Sequence, residues 1–252
     1  MKKLALALWL PLCLLVLWQV LTSAGALDPL FFPAPTTLVI TFGQLSVNGE
    51  LLRHLHATFS RTAIGFLAGS VLGLGLGLLV GAWSPLRRSL EPLIAALYAT
   101  PKLSLFPMLL LFLGVGDASR VALIALGSFV FTVIYAQEAV RNIPPGYVEM
   151  AVNYGARRMT LFREVYWPAC LPQIFTGLRL ALGRALVMAI SVELVSSSDG
   201  LGSMIWLSWQ TFSTERLYVA VCVTGTLGAS LHYALQRLER RLIPWKTQNA
   251  QA

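Results

Sequence analysis

The sequence predicts an all-α membrane protein with about six membrane-spanning helices. Of its 252 residues, 56% are hydrophobic and only 12% are charged, which is about half the charged fraction of a typical soluble domain. The hydrophobic residues form runs long enough to cross the hydrocarbon core as helices, and short polar stretches separate them. We expect a single membrane domain that covers residues 1–252.

Six apolar segments are predicted to span the membrane. They cover residues 4–21, 62–83, 92–113, 121–136, 175–195 and 217–235. Two interpretations of residues 1–26 are open, because Ala24-Gly25-Ala26 resembles a signal-peptidase site. The apolar run is longer than the core of a usual signal peptide, which favours a retained helix over a cleaved one.

The second apolar segment carries glycines at every fourth position. They are Gly65, Gly69, Gly73, Gly77 and Gly81. Small residues at this spacing allow two membrane helices to approach closely, so the pattern favours helix packing over a groove that faces the substrate. Before this segment, residues 48–61 have a partly amphipathic pattern and are predicted to form a separate interfacial helix at the outer surface.

The third apolar segment is interrupted by Pro101 and Pro107, with Lys102 between them. Proline removes a backbone donor, and broken backbone at membrane depth is tolerated only against protein or a water-filled path. An ionisable residue there is a functional candidate. Lys102 therefore either lies near a translocation pathway or extends towards the membrane surface.

The basic residues are distributed unevenly among the polar segments. With the N-terminus inside, twelve lie in inner segments: Lys2, Lys3, Arg87, Arg88, Arg141, Arg157, Arg158, Arg163, Arg237, Arg240, Arg241 and Lys246. Four lie in outer segments: Arg53, Arg61, Arg120 and Arg216. This bias places both termini and the 145–172 loop in the cytoplasm. The net charge of +8 thus reflects topology and the lipid surface, not nucleic-acid binding.

One long charged stretch, residues 149–172, interrupts the apolar runs. Pro145 suits the first turn of a helix, and Gly155 suits a left-handed residue just after its end. A second short helix is expected to follow, limited by Pro168 and Pro172. The 145–172 loop is therefore predicted to be two short helices with a sharp bend.

The second helix, starting near Ala156, would place Met159, Phe162 and either Val165 or Tyr166 on one side. Arg158 and Arg163 would lie elsewhere. Such an apolar ridge suits insertion into a groove of another protein. The alternative is that the loop only covers the end of its own helical bundle.

This stretch resembles the signature loop of ABC-importer permeases. The family pattern has Glu, Ala, Gly and Pro at the spacings of Glu149, Ala151, Gly155 and Pro168. Three positions depart from it with apolar substitutions: Met150, Val165 and Trp167. Further segments resemble the nitrate/sulfonate/taurine/bicarbonate branch: residues 32–35, 101–102, 112–116, 171–172, 176–179, 193–194 and 200–202.

The resemblance implies a bacterial inner-membrane permease that acts with other chains. It would pair with a second permease copy as a homodimer, receive solute from an extracytoplasmic binding protein, and dock on cytoplasmic ATPase subunits that bind the ATP. The docking contact would involve Glu149, Ala151, Gly155, Ala156, Arg157, Arg158, Met159, Phe162 and Val165. Gly155 would set the bend, Met159 and Phe162 would fill the ATPase groove, and Arg157 with Arg158 would pair with acidic groups at its rim.

Most solutes of this branch are small anions, such as a sulfonate, taurine, nitrate or bicarbonate. Lys102, Arg179 and Arg184 are compatible with an anion in the pathway. Glu193 is a further pathway candidate. It either gates the outer mouth or forms a structural pair, for instance with Arg120 or Arg184.

Motifs for catalysis are absent from the sequence. It contains no GxxxxGK[ST], HExxH or GxSxG pattern, and its three cysteines and three histidines have no metal-ligand spacing. We therefore expect a transport subunit with no catalytic residues, cofactor or metal, and with free cysteine thiols. Two rival functions are an ion-gradient-driven secondary transporter, which would favour inverted repeats, and an importer of a neutral pyrimidine such as a thiamine precursor.

Overall fold

The computed structural model describes residues 2–196 and 198–246, and helices make up nearly all of this part of the chain. The α-helices are α1 (Lys2–Ser23), α2 (Pro35–Val47), α3 (Glu50–Ala82), α4 (Ser84–Ala99), α5 (Phe106–Leu113), α6 (Asp117–Arg141), α7 (Pro145–Asn153), α8 (Arg158–Thr160), α9 (Trp167–Ser196), α10 (Leu201–Gln210) and α11 (Thr214–Leu242). Short 3₁₀ turns lie at Lys102–Leu105 and Pro244–Lys246, and a π-helical turn lies at Leu161–Tyr166. With no strand in the described residues, the predicted all-α class is confirmed.

Among residues 2–196 and 198–246, three helices are long and apolar enough to cross a membrane: α3, α6 and α11. The pair formed by α4 and residues Lys102–Leu113 is a fourth candidate if it counts as one broken span. Helix α1 contains a shorter apolar portion, Trp9–Ser23. All six segments predicted to span the membrane lie in helices or in the broken pair, and membrane crossing by α1 and α9 stays a prediction.

The prediction that residues 48–61 form a separate interfacial helix is wrong. These residues belong to α3, which runs without a break from Glu50 to Ala82. At 1.5 Å per residue its 33 residues extend about 50 Å, which is longer than the hydrocarbon core requires. No proline interrupts this segment, and three polar residues of its first part, His54, Thr58 and Arg61, are buried.

Two helices, α2 and α10, lie outside the six segments predicted to span the membrane. Pro35 occupies the first turn of α2, where the missing N–H has no intrahelical partner to lose. Helix α10 follows Gly200, whose φ of +107° is a conformation that glycine adopts without steric cost.

The predicted interruption of the third apolar segment is confirmed at Pro101. Helix α4 ends at Ala99, and the following helical segment leaves at an angle of 96°. Pro107 produces no second break, because it occupies the first turn of α5, where proline is tolerated.

The chain forms two compact units, and α3, α9 and α11 contribute residues to both. The first unit comprises Met1–Thr58 and Glu193–Thr226. Its buried hydrophobic residues are Leu45, Leu51, Leu201, Met204, Val219, Ala220 and Val223. The rings of Trp18 and Tyr218 lie 5.6 Å apart, and the Tyr218 hydroxyl donates to the carbonyl of Phe31 at 3.1 Å.

The second unit comprises Phe59–Val192 and Leu227–Ala252. Within it, the α3 glycines at every fourth position face α6. A Cβ atom at Gly77 would lie 2.6 Å from the carbonyl oxygen of Val133, and one at Gly81 would lie 2.8 Å from that of Gln137. Carbon and oxygen atoms do not approach so closely, so only glycine fits. The helix-packing interpretation of the glycine pattern is confirmed.

Candidate functional site

The predicted bend at Gly155 is present and has the hydrogen bonds of a Schellman motif. Helix α7 ends at Asn153, and Gly155 has a φ of +79°. The Gly155 N–H donates to the carbonyl of Val152 at 2.8 Å, and the Ala156 N–H donates to that of Ala151 at 3.0 Å. These bonds satisfy two carbonyls at the helix end and turn the chain sharply.

The second helix of the 145–172 loop differs from its prediction, because it does not end at Pro168. Helix α8 continues through the π-helical turn into α9, with Pro172 inside the latter. The Trp167 N–H donates to the carbonyl of Phe162, five residues earlier. A π-helical turn absorbs irregular hydrogen bonding without stopping a helix, and here it directly precedes a proline that has no N–H.

The outer surface of this bent segment is exposed and apolar. The side chains of Met159 and Phe162 are 74% and 53% exposed, although both are large hydrophobic groups. Glu149 and Arg157, around the bend, are also exposed. The structure therefore places the predicted ridge and its charged neighbours where a partner could reach them.

Other predicted docking residues support this surface from behind. Ala151, Ala156 and Val165 are half-buried. Ala151 and Val165 line one cavity of about 350 Å³, closed on another side by Trp245. Helix α7 packs against the π-helical turn here. The side chain of Arg158 lies outside the described part of the structure.

The three predicted pathway cations have different surroundings. Arg179 forms an ion pair with Glu239, with 3.1 Å between Nη1 and Oε2. Lys102 donates from Nζ to the carbonyl of Tyr98 at 2.6 Å. The guanidinium of Arg184 lies over the Phe131 ring at 5.2 Å.

Glu193 lies in a buried hydrogen-bond network at the start of α10. Its side chain is among the largest that are fully buried, with 1% of the residue exposed. Its Oε2 accepts from the Thr58 hydroxyl at 2.8 Å and from the Gly202 N–H at 3.0 Å. The Thr58 hydroxyl accepts from the Leu201 N–H at 2.8 Å. The Glu193 carboxylate and the Thr58 hydroxyl thus accept from two N–H groups at the start of α10 that have no acceptor within the helix.

The polar stripe on α3 is a feature that the sequence reasoning missed. His54, Thr58 and Arg61 are each less than 5% exposed. The Nδ1 of His54 accepts from the Gly200 N–H at 3.0 Å, and Arg61 forms an ion pair with Asp117 at 2.8 Å. The signal was available: spacings of four and three place all three residues on one helix face.

The three cysteines are free thiols, as predicted. Burial raises the pKa of the Cys170 thiol to about 11, so it stays protonated at neutral pH and behaves as a small hydrophobic group. Among residues 2–196 and 198–246, no group of three histidine, cysteine or acidic side chains could hold a metal ion.

Comparison with known proteins identifies the family. Residues 69–244 match the family described as "Binding-protein-dependent transport system inner membrane component". The chain is 33% identical to the aliphatic sulfonates transport permease protein SsuC of Bacillus subtilis (strain 168), over 95% of this chain and 87% of that protein. It is 32% identical to the riboflavin transport system permease protein RibX of Chloroflexus aurantiacus (strain ATCC 29366 / DSM 635 / J-10-fl), over 95% and 91% of the two chains.

A solved structure shares the fold. A chain of the MetNI methionine ABC transporter, in an inward-facing conformation, superposes with a TM-score of 0.68 over 76% of this chain and 95% of that one, at 20% identity. The matched family covers well over half of the chain, and the relative SsuC agrees with the branch that the segments outside the signature loop indicated. The chain belongs to the inner-membrane permease components of binding-protein-dependent ABC transporters, and is a transport subunit rather than an enzyme.

Proposed function

We propose that this permease imports a small organic anion, such as a sulfonate or taurine, using ATP hydrolysed by a separate subunit. The observation that supports ATPase coupling best is the exposed ridge of Met159 and Phe162 beside the Gly155 bend. Large apolar side chains lose about 1.5–3 kcal/mol of favourable burial when they remain in water. A partner surface that covers them recovers this free energy.

The segment is built to transmit force as well as to bind. Helix α8 continues through the π-helical turn into α9, so a displacement of Met159 and Phe162 acts on a long helix without a flexible linker. Helix α7 packs against the same turn and connects through residues 142–144 to α6. In this proposal, closure of the ATPase subunits moves the segment, and the two helices carry the motion into the membrane.

The assembly we propose contains two copies of this permease, two ATPase subunits and an extracytoplasmic solute-binding protein. Both termini and the 145–172 loop would lie in the cytoplasm, in line with the excess of basic residues in those segments. Inorganic anions of the same branch, nitrate and bicarbonate, are included in the substrate range.

A neutral solute is the second candidate. A relative of almost the same identity is named as a riboflavin transport permease, and the sequence reasoning left open a neutral thiamine precursor. The anion is favoured here because two cations of the predicted pathway, Lys102 and Arg184, have no carboxylate partner in the described residues.

The proposed coupling role is tested by co-purification with the candidate ATPase. Gly155→Val places a β-branched residue at a φ of +79°, which costs about 1–2 kcal/mol or more and distorts the bend. We expect loss of ATPase association and of ATP-driven uptake. The matched control is Gly146→Ala, at a position in α7 where an added Cβ meets no atom within 4 Å.

Retention of ATPase association by the Gly155→Val variant would contradict the proposal, provided that the Gly146→Ala variant behaves as wild type. Both variants must elute from size-exclusion chromatography as folded protein.

A further inference from the structure

Four side chains from three predicted membrane spans form a continuous row in the second unit. The Lys102 Nζ lies 5.4 Å from the centre of the Tyr98 ring. The Tyr98 and Phe131 rings meet edge to face, with their centres 5.6 Å apart. The Arg184 guanidinium carbon lies 5.2 Å from the centre of the Phe131 ring. The row thus has a cation at each end and two aromatic rings between them.

Neither cation of the row has an acidic partner among residues 2–196 and 198–246. Other arginines of the same unit are paired: Arg61 and Arg120 with Asp117, Arg141 with Glu91, and Arg179 with Glu239. Uncompensated like charges at membrane depth are costly, so this place favours a negative charge from outside the chain.

The position of Lys102 follows from the break in the third span. Helix α4 ends at Ala99, and the carbonyl of Tyr98 accepts from the Lys102 ammonium instead of from a helical N–H. An ammonium group has three N–H donors, so two are left for a ligand. Tyr98 is 52% exposed, and Arg184 is also exposed, so a ligand can reach the row.

The aromatic rings restrict the kind of anion. Their faces and edges offer apolar contact between the two cationic ends, which an inorganic ion such as nitrate cannot use. An anion with a short alkyl chain can bind its charged oxygens to an ammonium or guanidinium and lay the chain on the rings.

We infer that Lys102, Arg184, Tyr98 and Phe131 form a binding site within the membrane domain for an organic anion with an apolar tail, such as an alkyl sulfonate. The site deepens the proposed import of a small organic anion and rests on that proposal for its biological role. The permease would then select its solute itself and prefer tailed organic anions to nitrate and bicarbonate.

The test is protection of a thiol placed beside the row. In a variant with Cys13, Cys170 and Cys222 changed to Ala, the reporter is Ala95→Cys, an exposed position one turn before Tyr98 in α4, so that all four residues of the row are kept. It is alkylated with N-ethylmaleimide, a neutral reagent, in the purified full-length permease in nanodiscs. Three probes are compared: 1-butanesulfonate, its neutral analogue 1-butanesulfonamide, and nitrate. No ATPase is present, so this test can succeed or fail independently of ATP-driven import.

We expect butanesulfonate to slow alkylation at concentrations about tenfold lower than either other probe, since charge-assisted and apolar contacts both contribute. Adding Lys102→Gln and Arg184→Gln should raise the half-protective concentration at least about tenfold. Exchanging the cations, with Lys102→Arg and Arg184→Lys, should retain most of the protection and shows that the fold tolerates changes here.

Arg237→Gln is the matched control. Its guanidinium lies over the Tyr233 ring at 5.6 Å, the same kind of contact outside the row, and its loss should leave protection unchanged. The inference is overturned if butanesulfonate gives no protection, if all three probes protect equally, or if the double glutamine variant is protected as well as its parent.

Discussion

At the scale of single residues, Glu193 is a structural anchor for the start of α10. Its carboxylate accepts from Thr58 and Gly202 while buried at 1% exposure. Of the two interpretations left open by the sequence, this arrangement favours the structural one over an outer gate. Its partners also explain Gly200, where a Cβ atom would collide with the Glu193 carboxyl group.

Glu193→Ala is expected to lower the free energy of unfolding by about 2 kcal/mol or more, because it leaves the Thr58 hydroxyl and the Gly202 N–H buried without an acceptor. Glu193→Gln should cost less, since its amide oxygen still accepts. Thermal unfolding in detergent measures both. Glu164→Ala is the control, because this exposed residue forms an ion pair with the exposed Arg163 at 3.8 Å, and its loss should change stability by less than about 0.5 kcal/mol. Equal stability of the Glu193→Ala and Glu164→Ala variants would exclude the anchor role. A Glu193→Gln variant that folds normally but has altered uptake would support the outer-gate interpretation instead.

Phe162 carries the second prediction at this scale. Phe162→Ala should weaken binding of the ATPase subunit by about 1–3 kcal/mol, because a large exposed ring would no longer fill the partner's groove. Leu242→Ala provides a control of similar exposure outside the loop, at 50% against 53%. Titration of the labelled ATPase against permease in nanodiscs measures the affinity. If both variants bind like wild type, the ridge is not the contact.

At the scale of secondary-structure elements, the association of α3 with α6 depends on glycine. A Cβ atom at Gly69 would overlap the carbonyl of Ala125, whereas at Gly75, six residues further along α3, it would meet no atom within 4 Å. We expect Gly69→Ala to destabilise the protein by about 1–3 kcal/mol or to prevent folding. Gly75→Ala should be neutral or slightly stabilising, because alanine is the better helix former. The melting temperatures of the two variants test this prediction, and similar values would contradict the observed packing of α3 against α6.

Elements with local signals could be predicted from the sequence, and those defined by distant partners could not. The bend of the loop follows from Pro145 and Gly155, whose backbone preferences act on neighbouring residues. The sequence did not predict that α3 is continuous, because a threonine such as Thr58 is typical of a surface. Its buried partner, Glu193, lies 135 residues away in the sequence. The continuation of α8 into α9 was missed because a π-helical turn before Pro168 has no simple sequence signature.

The residues of the candidate site divide in the same way, into those with local sequence signals and those defined by distant partners. The exposed ridge was predicted from helical spacing alone, because exposure needs no distant partner. For the pathway cations, the sequence indicated three equivalent candidates. In the structure Arg179 pairs with Glu239, 60 residues later in the chain, which distinguishes it from Lys102 and Arg184. Charges that pair across such separations cannot be matched from one sequence.

At the scale of the whole molecule, the central question is the source of energy. The chain has no P-loop sequence for binding ATP, and its family consists of inner-membrane components of binding-protein-dependent transport systems. The proposed import therefore requires that a partner subunit hydrolyse ATP and that the 145–172 loop receive the resulting motion. A secondary transporter would need neither the partner nor the exposed ridge.

Uptake into proteoliposomes tests this claim most directly. The permease is reconstituted with its ATPase and solute-binding protein, and entry of radiolabelled 1-butanesulfonate is followed with and without ATP while ionophores collapse all ion gradients. If import is driven by ATP, we expect uptake that requires both ATP and the ATPase and that persists when the ion gradients have been collapsed. Uptake by the permease alone that stops when an ion gradient is collapsed would contradict it.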